Sequence, residues 1–487
     1  MKKFITLIAA GAAVIVAVVL VRTATFTSSQ VEVEPVALID VDADEAAQHL
    51  ATALTFRTIS HQDPADFKAA PFEAFRRFLA STYPRMHGAL SLEVVNDYSL
   101  LYTWEGSDPA LAPVILMAHM DVVPVDPATL GDWIQPPYDG VVEGGYIWGR
   151  GAIDNKGGLM GIVEAVEHLL EGGFAPARTV YIAFGHDEEI GGHDGAKVMA
   201  GMLQQRGAEP VFVLDEGGYI AHDIITGVDP PVAMLGVAEK GYFTVELAVR
   251  TDGGHSSRPP DHTGLGILSR AAVRLEENQF AASIKSPVRE QLATLGPYMP
   301  FARKMVLANL WLFSGRVKAQ FLTEPATAAS IRTTTAITMA AGSSKENILP
   351  VVATMIVNFR ILPGETSDDV LAHIERVIDD PQVTVTTLGG INEPSPLSDL
   401  DGEVYRTIAR SIRQVFPGVV VAPNLLLGAT DSYHFVPLTD NIYRFYPVNL
   451  GPGDAQRVHG TNERMGSENF VQVIQFFARL LETSTAG

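Results

Sequence analysis

Apolar residues recur with two periods along this chain. Over residues 44–56, 67–79, 159–170, 195–205, 264–277, 368–378, 402–415 and 467–481 they return every three or four positions, the spacing of a helix with one buried face. Shorter continuous runs at 94–104, 114–117, 180–183 and 211–214 read as strands. The run at 114–117 is so uniformly apolar that it belongs at the centre of a sheet covered on both faces. This alternation predicts an α/β fold, a doubly wound mixed-sheet domain. From about residue 241 the pattern changes. Strands at 242–250, 333–339, 353–361 and 383–388, with helices at 264–277 and 368–378, predict a smaller α+β two-layer domain inserted in the first. The chain then returns through a helix at 402–415, a tight turn at 428–431, a strand at 441–447 and a closing helix whose expected cap is Ser467.

Two apolar segments fit neither domain. Residues 4–21 carry no charge, follow Lys2-Lys3 and are closed by Arg22, a run close in length to the ~30 Å core of a bilayer. It is expected to be an uncleaved membrane anchor, with a cleaved signal segment and a buried helix as the alternatives. Positive charge kept inside would put the rest of the chain outside the cytoplasm. The second segment, 298–321, holds Met299, Phe301, Met305, Leu310, Trp311 and Phe313. It is expected to pack in the inserted domain's core or at a dimer face, the alternative being a surface for a lipid tail or membrane.

Composition narrows the chemistry. A length of 487 residues allows two or three domains, and a net charge of -21 argues against nucleic acid as a partner. The absence of cysteine excludes disulfides, thiolate metal sites and a cysteine nucleophile, so any metal must be held by His, Asp and Glu. Those residues gather where strands end. Val180–Ala183 runs into His186-Asp187-Glu188-Glu189, and the 114–117 run ends in His119-Met120-Asp121, where the aspartate can orient an imidazole that binds metal. The run at 211–214 ends in Asp215-Glu216. A glycine-rich loop at 148–158 matches neither phosphate-binding glycine pattern, and its glycines let Asp154 point inward. Each motif alone also fits a solvated acidic turn or a satisfied core histidine; their repetition at successive strand ends does not.

Together with His459-Gly460-Thr461-Asn462-Glu463, these motifs resemble the di-zinc aminoacylase and carboxypeptidase family over roughly residues 45–483. Within it they look most like the branch of carboxypeptidase S, a Gly-Xaa carboxypeptidase, and the secreted N-acyl-amino-acid hydrolases. The resemblance implies two Zn2+ per subunit, with Co2+ or Mn2+ also compatible, bridged by Asp154. One would add His119 and Asp215, the other Glu189 and His459. It makes Glu188 the general base and Asp121 the partner of His119. Gly254-His255-Ser256-Ser257 would supply His255 as oxyanion donor, from the same or a neighbouring subunit. Asn347 and Arg360, thirteen residues apart, would hold the substrate carboxylate, with Gly428 and Thr430 lining the same pocket.

The implied division is 1–23 as anchor or signal segment, 24–40 as tether, 41–240 and 392–487 as the catalytic domain, and 241–391 as an inserted lid or dimerisation domain with an apolar insertion at about 280–330. The implied activity is hydrolysis of an amide bond beside a free C-terminal amino acid. The alternatives are an N-(fatty)acyl-amino-acid amidohydrolase or synthase and, from another class, a non-catalytic tethered binding protein.

Overall fold

The apolar runs at 114–119 and 180–185 pair in parallel in the middle of a ten-stranded mixed sheet. The structure is a computed structural model and describes residues 1–486. The sheet runs in the order Ser91–Val95, Ser99–Trp104, Val180–Gly185, Val114–His119, Phe212–Asp215, Ile442–Arg444, Val232–Glu239, Tyr219–Ala221 and Asn449–Leu450, with Val420–Leu426 added in parallel to Val232–Glu239. Helices cover both faces, as uniformly buried central strands require. Ala43–Leu54, Lys156–Glu171 and Ser467–Ser484 pack on one side, and Ala196–Gln205 covers the other with Phe435 and Leu438. On the first side Phe476 is fully buried against Phe445 and Phe477, with ring centroids 5.4 and 5.3 Å away.

The second layer system is a four-stranded antiparallel sheet in the order Thr334–Ala341, Val352–Ile361, Gly241–Arg250, Val383–Asn392. Alternate residues of the two inner strands are buried, and Gly264–Glu277 and Ser367–Ile378 cover that face. Strict alternation marks a sheet with one wet face.

Several elements depart from the sequence expectation. The run 94–104 is not one strand but the second arm of a hairpin and part of the first: Asn96 and Asp97 turn it with φ of 45° and 70°, the left-handed pair that a tight hairpin turn needs. Ser467 is the first residue of the closing helix rather than its cap; Gly466 occupies that place, without a side-chain cap. Residues 24–40, expected as a tether, touch the large domain. Gln30 exchanges two hydrogen bonds with Val421, at 3.0 and 2.7 Å, and Val31, Leu38 and Ile39 pack against the main core. The apolar segment folds as the helices Phe301–Ala308 and Leu310–Phe321, preceded by Val288–Leu295, which packs on the large domain: Leu295 joins Val420 and Ala422 in one apolar cluster. The N-terminal helix Lys2–Thr25 has a mean hydropathy of 2.9 over its most apolar window and is almost wholly exposed.

Phe476→Ala would leave a cavity between strand and closing helix and should lower stability by about 3–5 kcal/mol, read as a fall in the urea midpoint. A shift under about 0.5 kcal/mol would show that the closing helix is not part of this core.

Candidate metal centre

Four parallel strands, Val180–Gly185, Val114–His119, Phe212–Asp215 and Ile442–Arg444, end at one edge of the large sheet, where open α/β sheets form their ligand crevice. His119 closes one strand, Glu188 and Glu189 sit in the turn after another, and Glu216 follows a third. Asp154 comes from the loop ahead of Lys156–Glu171. That loop turns tightly: a Cβ at Gly157 would lie 2.3 Å from both Ala152 O and Tyr446 Oη. His459 comes from the loop before the closing helix, with a left-handed φ of 59°.

These side chains converge. The donor atoms of His119, Asp154 and Glu216 lie within 4.8 Å of one another, as do those of His119, Glu188 and Glu189, and those of Asp154, Glu189 and His459. Asp154 stands between the imidazoles, its Oδ1 2.9 Å from His119 Nε2 and its Oδ2 2.8 Å from His459 Nε2. Glu216 Oε1 is 3.2 Å from His119 Nε2, and Glu189 Oε2 is 3.3 Å from His459 Nε2.

Asp215 is not in this group. Adjacent residues of an extended chain send their side chains to opposite sides. The Asp215 carboxylate accepts from Ser432 N–H at 2.9 Å, whereas Glu216, steadied by the Asn155 amide, reaches the crevice. The structure thus replaces Asp215 by Glu216 beside His119. The family resemblance had named Asp215 of the Asp215-Glu216 pair; it is Glu216 that turns toward His119.

Two other buried carboxylates hold the loops. Asp121 lies behind His119: Nδ1 is 3.0 Å from its carbonyl oxygen and 3.3 Å from Oδ1. Its carboxylate also accepts from the N–H groups of Glu188 and Glu189, at 3.2 and 3.1 Å, and from the Ser60 hydroxyl at 2.5 Å. Glu463 accepts from the N–H groups of Gly151, Ile153 and Asp154, at 3.0, 2.8 and 3.0 Å, and pairs with Arg150 at 2.6 Å. Arg150 in turn donates to the carbonyls of His459 and Gly460, at 3.1 and 2.8 Å, tying the Asp154 and His459 loops together. Glu216, Ser60 and Glu463 are the residues that motif reading did not assign.

So many acids in one crevice draw positive charge. Burial pushes Glu188 well above the usual carboxylate range, with Glu216, Asp431 and Glu189 adding to it against His119. Hydrogen bonds to Asp154 and Glu189 push His459 up to about 10. For His119 burial works against protonation, but Glu216, Asp121 and Asp154 outweigh it and hold it well above its ordinary value. Burial, then Glu216, push Asp215 up to about 6. Imidazoles and carboxylates without thiolates are the donor set of zinc and other borderline-to-hard divalent ions, and two donor groups sharing Asp154 fit a pair of them.

The remaining expected residues lie apart from the cluster. Exposed His255 accepts from Ser257 N–H at 3.1 Å, on a short strand Gly254–His255 paired with Ile348–Leu349. Asn347 is next to it in space, its carbonyl accepting from Ser256 N–H at 3.1 Å and its buried Oδ1 without a partner. Arg360 lies over the Tyr242 ring at 4.7 Å. Gly428 faces open space. Thr430 is committed to the fold: its N–H and hydroxyl lie 3.2 and 3.4 Å from Glu239 Oε2, which also pairs with Arg444 at 3.0 Å.

A crevice of this composition at the strand ends of a two-domain α/β fold defines a metallohydrolase. The chain matches the model of "Peptidase family M20/M25/M40" over residues 115–483 and belongs to that family of metallopeptidases. "Probable carboxypeptidase S-like 2" of Dictyostelium discoideum is 37% identical over 96% of this chain and 92% of its own length. "N-fatty-acyl-amino acid synthase/hydrolase PM20D1.1" of Danio rerio is 39% identical over 89% and 84%. The M20 family metallo-carboxypeptidase Sso-CP2 of Sulfolobus solfataricus shares the fold, with a TM-score of 0.66 at 19% identity over 90% of this chain and 99% of that one. The protein is therefore a hydrolase, which sets aside a purely binding role.

Glu463→Ala would leave Arg150 charged, buried and without its carboxylate. It should cost about 3–5 kcal/mol of stability by chemical denaturation. An unchanged midpoint would mean that Glu463 does not hold the loop.

Proposed function

We propose that the protein uses two divalent cations, zinc in the first instance and Co2+ or Mn2+ as substitutes, to hydrolyse the amide bond beside a free C-terminal amino acid, as a dipeptidase or Gly-Xaa carboxypeptidase. The observation that carries this is a two-imidazole acidic crevice in a chain whose Arg360 lacks a carboxylate partner. That arginine is half-buried and in none of the ion pairs among the described residues. A half-buried guanidinium without a counter-ion is suited to gripping a planar carboxylate by two parallel hydrogen bonds. Asn347, with its buried and unmatched Oδ1, lies in the turn before Ile348–Leu349, beyond the opposite end of the strand Val352–Ile361 from Arg360.

His119, Asp154 and Glu216 would hold one cation, and Asp154, Glu189 and His459 the other. When bound, they supply Lewis acidity to the scissile carbonyl and acidity to a water. Glu188 would accept the proton of the attacking water and pass it to the departing nitrogen; burial raises its pKa, against the opposing charge of His119. Asp121 keeps His119 in one tautomer and both glutamates in place. His255, exposed on the inserted domain, would reach the developing oxyanion when that domain closes, from its own or a neighbouring subunit. The exposed edge strand Thr334–Ala341, with Met339 67% accessible, offers a surface for a homodimer.

The N-terminal helix would remain as an anchor, with Lys2-Lys3 on the cytoplasmic side and the catalytic domain outside the cytoplasm; secretion after cleavage is the alternative. A second reading of the substrate, N-(fatty)acyl amino acids hydrolysed or condensed at the same centre, is favoured by similarity to the Danio rerio synthase/hydrolase.

The deciding assay compares Gly-Leu with acetyl- and oleoyl-leucine, with zinc supplied or chelated. Zinc-dependent release of leucine from Gly-Leu is expected, and turnover of oleoyl-leucine alone would establish the second reading. Glu188→Gln should lose at least ~10²-fold in kcat while keeping its metal; a smaller loss contradicts the assigned base. Glu216→Ala should lose bound zinc and Asp215→Asn should retain it, the reverse result restoring Asp215 as the ligand.

A further inference from the structure

The N-terminal helix is not free-standing. Its last turns are held by the apolar insert, and the pairing runs in opposite directions along the two segments. Ser28 Oγ meets Tyr298 Oη at 2.7 Å. The Phe26 ring closes over Gly296, where a Cβ would come within 2.3 Å of it. Arg22 Nε donates to Ala308 O at 3.1 Å, and Asn309 Nδ2 donates to Val19 O at 3.2 Å and Thr23 Oγ1 at 3.4 Å. Later residues of the insert thus meet earlier residues of the N-terminal helix. The helix Phe301–Ala308 descends along it and turns, at the fully buried Asn309, into Leu310–Phe321.

This fixes the height of the turn relative to a bilayer. At ~1.5 Å per residue, the stretch between Lys3 and Arg22 is about as long as the ~30 Å hydrocarbon core. With those charges at its two boundaries, Val19 lies about one helical turn inside, and Asn309 is bonded to it. Beside Asn309 project Trp311 and Leu312, 55% and 46% accessible, and Phe301 on the descending helix is 64% accessible. Residues 301–321 carry Arg303, Lys304, Arg316 and Lys318 and no acid, in a chain of net charge -21. Exposed aromatic and aliphatic side chains among basic ones are the make-up of a helix lying in the headgroup boundary.

We propose that the helix pair Phe301–Ala308 and Leu310–Phe321 is a membrane-docking wedge, its tip around Trp311 and Leu312 seated in the headgroup and upper acyl region of an anionic bilayer. The proposal rests on the N-terminal helix being membrane-embedded. Its effect is to fix the catalytic domain against the surface. The preceding helix Val288–Leu295 packs on that domain through Leu295 and through Gln291, whose Nε2 donates to Asn424 Oδ1 at 3.2 Å. Wedge, anchor and domain form one continuous contact, with no loose linker between them.

The chain has no cysteine, so one environment-sensitive thiol label reports one site. The full-length protein would carry it at Leu312→Cys, at Ala12→Cys in the middle of the N-terminal helix, or at exposed Gln204→Cys on the catalytic domain. Each is reconstituted in phosphatidylcholine–phosphatidylglycerol vesicles. The expected result is blue-shifted emission at 312, quenched by lipids brominated near the headgroup, deep quenching at 12, and neither effect at 204. Emission at 312 matching that at 204 while 12 is quenched would overturn the wedge alone. An unquenched label at 12 would overturn the embedded helix, and the wedge with it. Self-quenching at 312 that rises with protein density, without lipid quenching, would make the face a contact between copies and also overturn the wedge.

Discussion

The structure depends on keeping several carboxylates close together out of water. Asp154, Glu188, Glu189 and Glu216 converge on two imidazoles, and in a crevice of low dielectric such acids repel unless positive charge stands among them. Two kinds of acid divide that problem. Asp154, Glu189 and Glu216 point their oxygens at the imidazoles. Asp121 and Glu463, fully buried, point theirs at backbone N–H groups and, for Glu463, at Arg150. The second kind fixes where the first can go, and so ties strand ends far apart in sequence into one site.

The sheet was legible because buried strands write themselves as uninterrupted apolar runs, as at 114–119 and 180–185. Strands with weaker signatures were not. Val232–Glu239 is broken by Gly236, and Val420–Leu426 carries Pro423, which an edge position tolerates. The Asn96-Asp97 turn was visible as residue types but was outweighed by the apolar residues around it. At the crevice, the strand-end motifs and the family resemblance pointed to His119, Asp154, Glu188, Glu189 and His459, which the structure brings together. The resemblance named Asp215, whereas the structure sets Glu216 beside His119, a matter of which side of the chain each carboxylate leaves. Nor could it see that Thr430 is spent on Glu239, a contact across 191 residues.

The inserted domain and the N-terminal segment join the centre to its surroundings. In the smaller domain Asn347 keeps a buried Oδ1 without a partner, and Arg360, near the other end of the strand Val352–Ile361, lies over the Tyr242 ring. The apolar insert, expected from sequence to pack in the inserted domain's core or at a dimer face, forms an apolar cluster around Val288, Leu292, Val317 and Ile331 and also touches the large domain and the N-terminal helix.

The most direct test of the centre is anomalous diffraction at the zinc edge from crystals of the zinc-loaded protein. Two peaks are predicted, one bounded by His119, Asp154 and Glu216 and one by Asp154, Glu189 and His459. Density ligated by Asp215 in place of Glu216, or no metal in this crevice, would contradict the account.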